Sequence, residues 1–406
     1  MVTKHCILFD QTDIFGKRIG GAETFLRGLI KYIPRNFEIS VVGTTTDTDR
    51  RPLDRWTRLS LGSREFDFLP VVFEGDENHK SVIPLSLRYT LALVRQKIDT
   101  RGKVLFFNRI EPSVVYSSRL CAKVVMVHND IENQIMRRSG GEALWSKAPF
   151  LYKLFERYAF KSIDHLYTVS ENSVRYYHSY YPDAKDRVSF LPTWLDPEIF
   201  SSSEENKTDI RKRIALDQHQ DKVSARWILF VGRLQEQKAP LRIIEAFKEY
   251  CKTDKNPVLL VVGDGNLREQ MLEEARRLGV AEKIVHIKYL PQSQLVDFYR
   301  AADVFLLASN YEGMPISILE AMGCGLPVVS TRVGEVSRVI KNGFSGEIID
   351  SFHAKEIAVG LRKILAAPSV YSRENCLASI QDFVPSKVLK PVFKKMSDLC
   401  ESKSKG

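Results

Sequence analysis

Cysteine is sparse and scattered. Six occur in 406 residues (Cys6, Cys121, Cys251, Cys324, Cys376 and Cys400), and no two stand in C-x-x-C spacing. Neither a structural zinc site nor a redox pair is expected, and thiols this isolated suit a reducing compartment. No apolar run approaches the ~18 residues of a membrane span. The opening stretch MVTKHCILFDQTD groups only four apolar residues before Asp10, so no secretory signal is expected. With 22 Gly and 17 Pro there is no collagen-like or low-complexity bias, which excludes a fibre or a disordered tail protein. No repeat appears at solenoid periods. The expected setting is cytoplasmic, with any membrane contact peripheral and on the inner face.

What is present is an ordinary globular balance, 44% hydrophobic and 27% charged, with a formal charge of +10. Each half of the chain carries a basic surplus of five, so no charged tail creates the excess. Such a surplus fits an anionic membrane, a phosphorylated ligand, nucleic acid or nothing in particular. No RNA- or DNA-binding motif accompanies it, and nucleic acid is not expected as a partner. At ~100–200 residues per domain, the length suggests two or three domains.

Short apolar runs alternate with amphipathic stretches. Strands are predicted at Cys6–Asp10, Glu38–Val42, Val104–Asn108, Lys123–His128, Leu166–Ser170 and Ser189–Pro192. A second series is predicted at Trp227–Val231, Val258–Gly263, Ile284–Ile287, Val304–Leu307, Pro327–Ser330 and Gly346–Ile349. Helical patterns lie between them at Ala22–Tyr32, Ala148–Lys161, Leu241–Lys252 and Leu267–Leu278. Apolar strands alternating with helices indicate α/β architecture with parallel sheets covered on both faces. Two series predict two doubly wound, Rossmann-like domains facing across a cleft. The polar, Ser-rich stretch DPEIFSSSEENKTD suggests a linker at 196–207. The domains are then 1–195 and 208–375, and a Lys-rich helical segment at 376–406 could pack on either.

Ligands of open parallel sheets sit beyond the carboxyl ends of the strands. The most informative loop follows VFLLA and reads SNYEGMPISILEAMGCGLPVVS. Pro315 suits the first turn of a helix opening near Ile316, where a missing N–H costs little. Backbone N–H groups of Met314, Ile316 and Ser317 would make an anion cradle beside Gly313. Glu312 and Glu320 flank it, and a carboxylate there is better suited to sugar or ribose hydroxyls than to phosphate. In FVGRLQEQKAP, Arg233 and Lys238 follow a strand and could neutralise a diphosphate without a metal. Gly20-Gly21 precedes a helix and fits either a close phosphate approach or a plain tight turn. The glycines of VVGDG, Gly263 among them, leave the same choice open. His128, at the end of a strand, could meet a sugar hydroxyl, shuttle a proton or simply be a satisfied loop histidine. No G-x-G-x-x-G fingerprint occurs.

GRL with Lys238, then GDG, then EGMPISILEAMGCGLPVV resemble, in order and spacing, the retaining glycosyltransferases of family 4 in the GT-B superfamily. Glu312 and Glu320 stand eight residues apart and match that family's E-x7-E signature. The resemblance covers most of Trp227–Asp350, and more loosely Gly20-Gly21, His128, Ser170-Glu171 and LPTWLDPEIF. It implies a metal-independent, cofactor-free hexosyltransferase that moves a sugar from a UDP- or GDP-linked donor to an acceptor hydroxyl with retention. It also implies a glycan or lipid-linked acceptor and a role in envelope or exopolysaccharide assembly. By that resemblance Arg233 and Lys238 hold the diphosphate and Glu320 the ribose. Glu312 and the backbone of Gly313, Met314, Pro315, Ile316 and Ser317 meet the donor sugar. Gly20, Gly21 and Gly263 line the donor site, and His128 touches the transferred sugar. The chain departs from the family pattern at Ala239, often Gly, at TWLD, and at EGMP in place of E-G-F-G.

The fold also admits a nucleotide-sugar epimerase, a phosphorylase or a non-catalytic nucleotide-sugar-binding protein. On the acceptor side, Ser81–Lys103 mixes Leu and Val with Arg88, Arg95, Lys97 and Arg101. Trp145–Lys161 interleaves aromatics with Lys147, Lys153, Arg157 and Lys161. Each reads either as a packed helix with a solvated basic face or as a surface for anionic lipid.

Overall fold

A computed structural model of the chain describes residues 3–16, 21–75, 83–116, 120–128, 149–214, 222–254 and 256–404. It divides into two compact units, one of residues 1–192 with 385–406 and one of residues 193–384. These divisions fall at Pro192/Thr193 and Val384/Pro385 rather than at 195 and 375. The stretch expected as a linker, 196–207, belongs to the second unit, where Leu195 N–H donates to the Phe383 carbonyl at 2.8 Å.

The first unit begins β1 (Lys4–Phe9), α1 (Gly21–Tyr32), β2 (Phe37–Thr45), β3 (Thr57–Leu61), β4 (Arg64–Phe73) and α2 (Leu85–Arg95). It continues β5 (Val104–Phe107), β6 (Ala122–Val127), α3 (Pro149–Phe160), β7 (His165–Thr168), α4 (Glu171–Tyr180) and β8 (Val188–Phe190). The sheet order is β3-β4-β2-β1-β5-β6-β7-β8. All pairs are parallel except β3 with β4. This antiparallel β3–β4 pair was not foreseen, because Pro70 interrupts FDFLPVVF and a proline demotes a strand. In the structure Pro70 sits at a register shift between β2 and β4, where the ladder is already irregular.

From β1 the chain steps one way to β2, and from β4 it returns past β1 to β5. Right-handed crossovers therefore put α1 on one face and α2, α3 and α4 on the other. The latter face carries one core, in which Tyr89 and Leu93 of α2 join Ala159 and Phe160 of α3 and Tyr177 of α4. Glu156 of α3 is fully buried there and accepts from the hydroxyls of Tyr176 (3.0 Å), Tyr177 (3.0 Å) and Tyr181 (3.2 Å).

The second unit comprises α5 (Lys207–Ile214), β9 (Arg226–Val231), α6 (Pro240–Tyr250), β10 (Pro257–Val262), α7 (Arg268–Arg277) and β11 (Ile284–Ile287). There follow α8 (Gln292–Ala301), β12 (Val304–Leu307), α9 (Ile316–Gly323), β13 (Val328–Thr331), α10 (Val336–Val339), β14 (Gly346–Ile349), α11 (Ala354–Ala366) and α12 (Arg373–Ile380). Its sheet, β11-β10-β9-β12-β13-β14, is wholly parallel. The chain then returns to the first unit through α13 (Pro385–Val388) and α14 (Lys390–Ser404). On α14, Glu401 pairs with Lys4 at 2.8 Å, and Lys403 with Asp164 at 3.5 Å. Cys400 Sγ approaches the Gly102 carbonyl at 3.4 Å, so α14 spans the starts of several strands.

Glu156→Ala is expected to remove the acceptor shared by three tyrosine hydroxyls and lower stability by about 2–4 kcal/mol. Urea unfolding of the two proteins measures the loss.

Candidate functional site

Each sheet has one point where the chain reverses direction, and such points form the crevice that open α/β sheets use for ligands. In the second unit it lies between β9 and β12. The loops after these two strands carry Arg233 and Lys238 on one side and Glu312 on the other. The structure brings the last two together, with Lys238 Nζ 2.6 Å from Glu312 Oε1. Ser309 Oγ donates to the same oxygen at 2.6 Å, and Gln237 Nε2 to Oε2 at 3.3 Å. Glu312 is buried, so these three donors replace the water it has lost. Arg233 stands exposed on the same β9 loop.

The two loops are also joined through Asn310. Its N–H donates to the Gln237 carbonyl at 2.8 Å and its side chain to the Glu236 carbonyl at 2.7 Å. Arg242 of α6 reaches back to the Ala308 carbonyl and to Asn310 Oδ1, both at 2.7 Å. Sequence reading missed Gln237, Arg242, Ser309 and Asn310. Their one signal was position, each standing in or beside a loop at the switch point.

Pro315 caps α9 and is followed by Ile316 and Ser317, whose N–H groups open the helix as its first-turn donors. Met314 is buried, and its carbonyl and Sδ engage Thr193 at 3.4 and 3.3 Å. Gly313 lies against Gly334, where φ is +49° and any Cβ would stand 2.2 Å from the Gly313 carbonyl oxygen. Glu335 N–H donates to that carbonyl at 2.9 Å. Glu320 is one helical face further on and buried, accepting from Tyr299 OH at 2.8 Å. Burial pushes its pKa up to about 7, against a smaller downward pull from Tyr299.

The GDG turn serves the β9 loop. Gly263 has φ +145°, and a Cβ there would fall 1.9 Å from the Gly232 carbonyl oxygen. At Gly265 a Cβ would fall 2.3 Å from the carbonyl oxygen of Leu234, whose N–H donates to the Asp264 carbonyl at 3.0 Å. Gly263 therefore shapes the loop that carries Arg233. Ala239 holds the left-handed conformation (φ 47°) between a short 3₁₀ turn at Glu236–Lys238 and α6. Glycine would take that conformation without cost, as the family pattern prefers.

In the first unit the switch point lies between β1 and β5. The residues that follow β1, β5 and β6 there, Asp10, Asn108 and His128, form a chain of hydrogen bonds. Asn108 Nδ2 donates to Asp10 Oδ2 at 2.6 Å and to the Ala22 carbonyl at 3.2 Å. A flipped amide would set oxygen against the Ala22 carbonyl, so Asn108 Oδ1 must face His128 Nε2, to which it is bonded. His128 therefore carries its proton on Nε2 and offers an Nδ1 lone pair. Burial, helped by the charge of Arg109, lowers its pKa to about 3, so the ring is neutral. Burial raises Asp10 to about 7, with the Asn108 bond opposing. Gly21 opens α1 beside this chain; Gly20 lies outside the described residues. Among the described residues, no group of three or more His, Cys, Asp or Glu is placed to hold a metal ion.

Residues 212–399 match the family described as Glycosyl transferases group 1. The D-inositol 3-phosphate glycosyltransferase of Segniliparus rotundus is 31% identical over 193 residues, which are 47% of this chain and 41% of that protein. The chain thus spans less than half the length of this curated relative. Among solved structures, sucrose-phosphate synthase from Thermosynechococcus elongatus superposes with a TM-score of 0.74 at 15% identity, over 98% of both chains. HepE from Anabaena, solved in complex with UDP, gives 0.68 at 17%, over 98% of this chain and 100% of that one. At these identities the likeness concerns the fold.

Two expectations follow. Glu320 binds more protons folded than unfolded between about pH 4.5 and 7, so its burial costs stability progressively as pH rises through that window and nothing below it. Glu320→Gln, which can still accept from Tyr299, should match the parent near pH 4.5 and exceed it by up to about 3 kcal/mol above pH 7. Chemical denaturation across that range reads the difference. Ala239→Gly should raise stability by about 0.5–1 kcal/mol by relieving the left-handed backbone, less the entropy that glycine adds to the unfolded chain. A thermal melt of that variant checks it.

Proposed function

We propose a retaining hexosyltransferase, from the match of residues 212–399 to the Glycosyl transferases group 1 family and from the GT-B fold of the chain. The donor is a UDP- or GDP-linked sugar, and the acceptor is a hydroxyl of a glycan or lipid-linked glycan. The observation that carries the reading is the meeting, at one switch point, of Arg233, Lys238, Glu312 and the N-terminus of α9, with Glu320 on the same helix. The UDP bound to HepE favours UDP as the first nucleotide to test.

In this reading Arg233 and Lys238 balance the negative charge that grows on the departing diphosphate, a preorganised electrostatic contribution needing no metal. The Lys238 ammonium has three donors, and its bond to Glu312 uses one. The same bond holds Glu312 as an acceptor for hydroxyls of the donor sugar. Glu320 accepts from the ribose, and the first N–H groups of α9 meet phosphate or sugar oxygens. The bond from the anomeric carbon to phosphate oxygen breaks, and a bond to the acceptor oxygen forms on the same face. The acceptor proton passes to the leaving phosphate. His128 contributes its Nδ1 lone pair to a hydroxyl of the transferred sugar, and Gly20-Gly21 permits a close backbone approach. Envelope or exopolysaccharide assembly in the cytoplasm, at the inner membrane face, is the setting this chemistry suits.

Thermal stabilisation by UDP, GDP and ADP, without added metal, tests the donor site, since a ligand bound only to the folded state raises Tm. One nucleotide should give a clear shift. Arg233→Ala and Lys238→Ala should each weaken its binding about tenfold, the loss of one charge-assisted contact. Glu320→Ala should chiefly blur the choice of nucleoside. Nucleotide binding unchanged in all three variants would remove the donor site from this crevice.

A further inference from the structure

Two helices of the first unit turn rows of apolar side chains to solvent. On α2, Leu87, Leu91 and Val94 recur at helical spacing and are 44%, 53% and 66% exposed. On α3, Phe150, Leu154 and Tyr158 follow the same rule at 71%, 52% and 67%. The inward faces fix these orientations. Tyr89 and Leu93 anchor α2 in the core, where Tyr89 OH donates to the Val42 carbonyl at 2.7 Å, and Ala159 and Phe160 anchor α3. Both helices cover the same face of the sheet and pack against the 3₁₀ turn Glu111–Val114 between them. A helix apolar on both faces has more to bury than its own core takes.

The outward charges of the two helices themselves have one sign. α2 contains no acid, and its Arg88 and Arg95 flank the apolar row. The acid of α3, Glu156, is turned into the core, which leaves Lys153 and Arg157 outside. The nearby acids lie off the two helices: Glu111 on the turn between them, and at the margin Glu74, Asp54 and Asp99, hydrogen-bonded by Thr44, Gln96 and Arg101. A second copy of the chain seated on this face would set basic against basic. An anionic bilayer satisfies both features, taking the apolar rows into its interfacial region and the basic groups among its headgroups.

We propose that the outward face of α2 and α3 is the surface by which this protein docks on an anionic lipid bilayer. The surface belongs to the first unit alone and does not depend on the donor chemistry, although it suits a lipid-linked acceptor. The Trp145–Lys147 part of the aromatic–basic segment lies outside the described residues.

The test is flotation of the full chain with vesicles of phosphatidylcholine alone and of phosphatidylcholine mixed with phosphatidylglycerol. The chain should float with the mixed vesicles only and be released by high salt. Leu91→Asp and Leu154→Asp should each lower partitioning about tenfold. Arg95→Gln and Lys153→Gln should lower it about fivefold each. Because all four side chains lie at the surface, Tm and the nucleotide-induced Tm shift should stay at parental values, which separates this inference from the donor site. Absence of flotation with mixed vesicles, equal flotation with both compositions, or parental flotation of the four variants would overturn it. Sedimentation velocity showing a dimer that Leu91→Asp dissociates, with no vesicle binding, would assign the face to a second copy instead.

Discussion

The carboxylate of Glu312 has been taken almost wholly out of water, and the ammonium of Lys238 stands 2.6 Å from it. A buried charge without such a partner would cost several kcal/mol, so each residue fixes the other's loop. The loops come from β9 and β12, strands far apart in sequence that the sheet makes adjacent. Ser309, Gln237 and Asn310 then have defined places, and Arg242 of α6 clamps the assembly from behind. The GDG turn and Gly334 complete it, because only residues lacking Cβ allow the neighbouring loops to approach so closely. The crevice is thus held together by bonds among its own side chains and backbone.

The first unit reaches a similar end by different means. Among the described residues, it sets no ion pair across β1 and β5, the buried Asp13–Arg51 pair of 2.7 Å tying the β1 loop toward β2 instead. It has a relay of neutral or nearly neutral groups, Asp10, Asn108 and His128, whose donors and acceptors are assigned by the Ala22 carbonyl. The second unit thus holds an ion pair at its switch point, and the first holds a chain of oriented hydrogen bonds. A shared sheet topology leaves this difference to a few residues at the strand ends.

Much of this was legible in the chain. Buried parallel strands read as unbroken apolar runs, so twelve of the strands stood out, while the β3–β4 pair hid behind Pro70 and a half-exposed alternation. Glu312 and Glu320 could be found because they stand eight residues apart, one in the loop before α9 and one on it, and match the E-x7-E signature. Gln237, Arg242, Ser309, Asn310 and Tyr299 could not, since their types are common and their partners lie tens of residues away. Asp10 and Asn108 were within reach, each being the polar residue that closes an apolar strand. Of the three relay residues, only His128 was singled out, because an imidazole at a strand end suggests chemistry more readily than a carboxylate or an amide does. For Ser81–Lys103 and Trp145–Lys161 two readings stayed open, because a sequence shows that a helix is apolar on two sides but not which side the core will take.

The return of α13 and α14 to the first unit has a consequence for synthesis. The second unit is threaded into the first as an uninterrupted insert, with every strand of its sheet between residues 226 and 349. A chain leaving the ribosome can therefore complete the insert while its host still lacks the helix that spans the starts of its strands. The protein that begins first closes last. During that interval the nascent first unit exposes the seat of α14 as well as the apolar rows of α2 and α3, and is at its most adhesive before its final helix arrives.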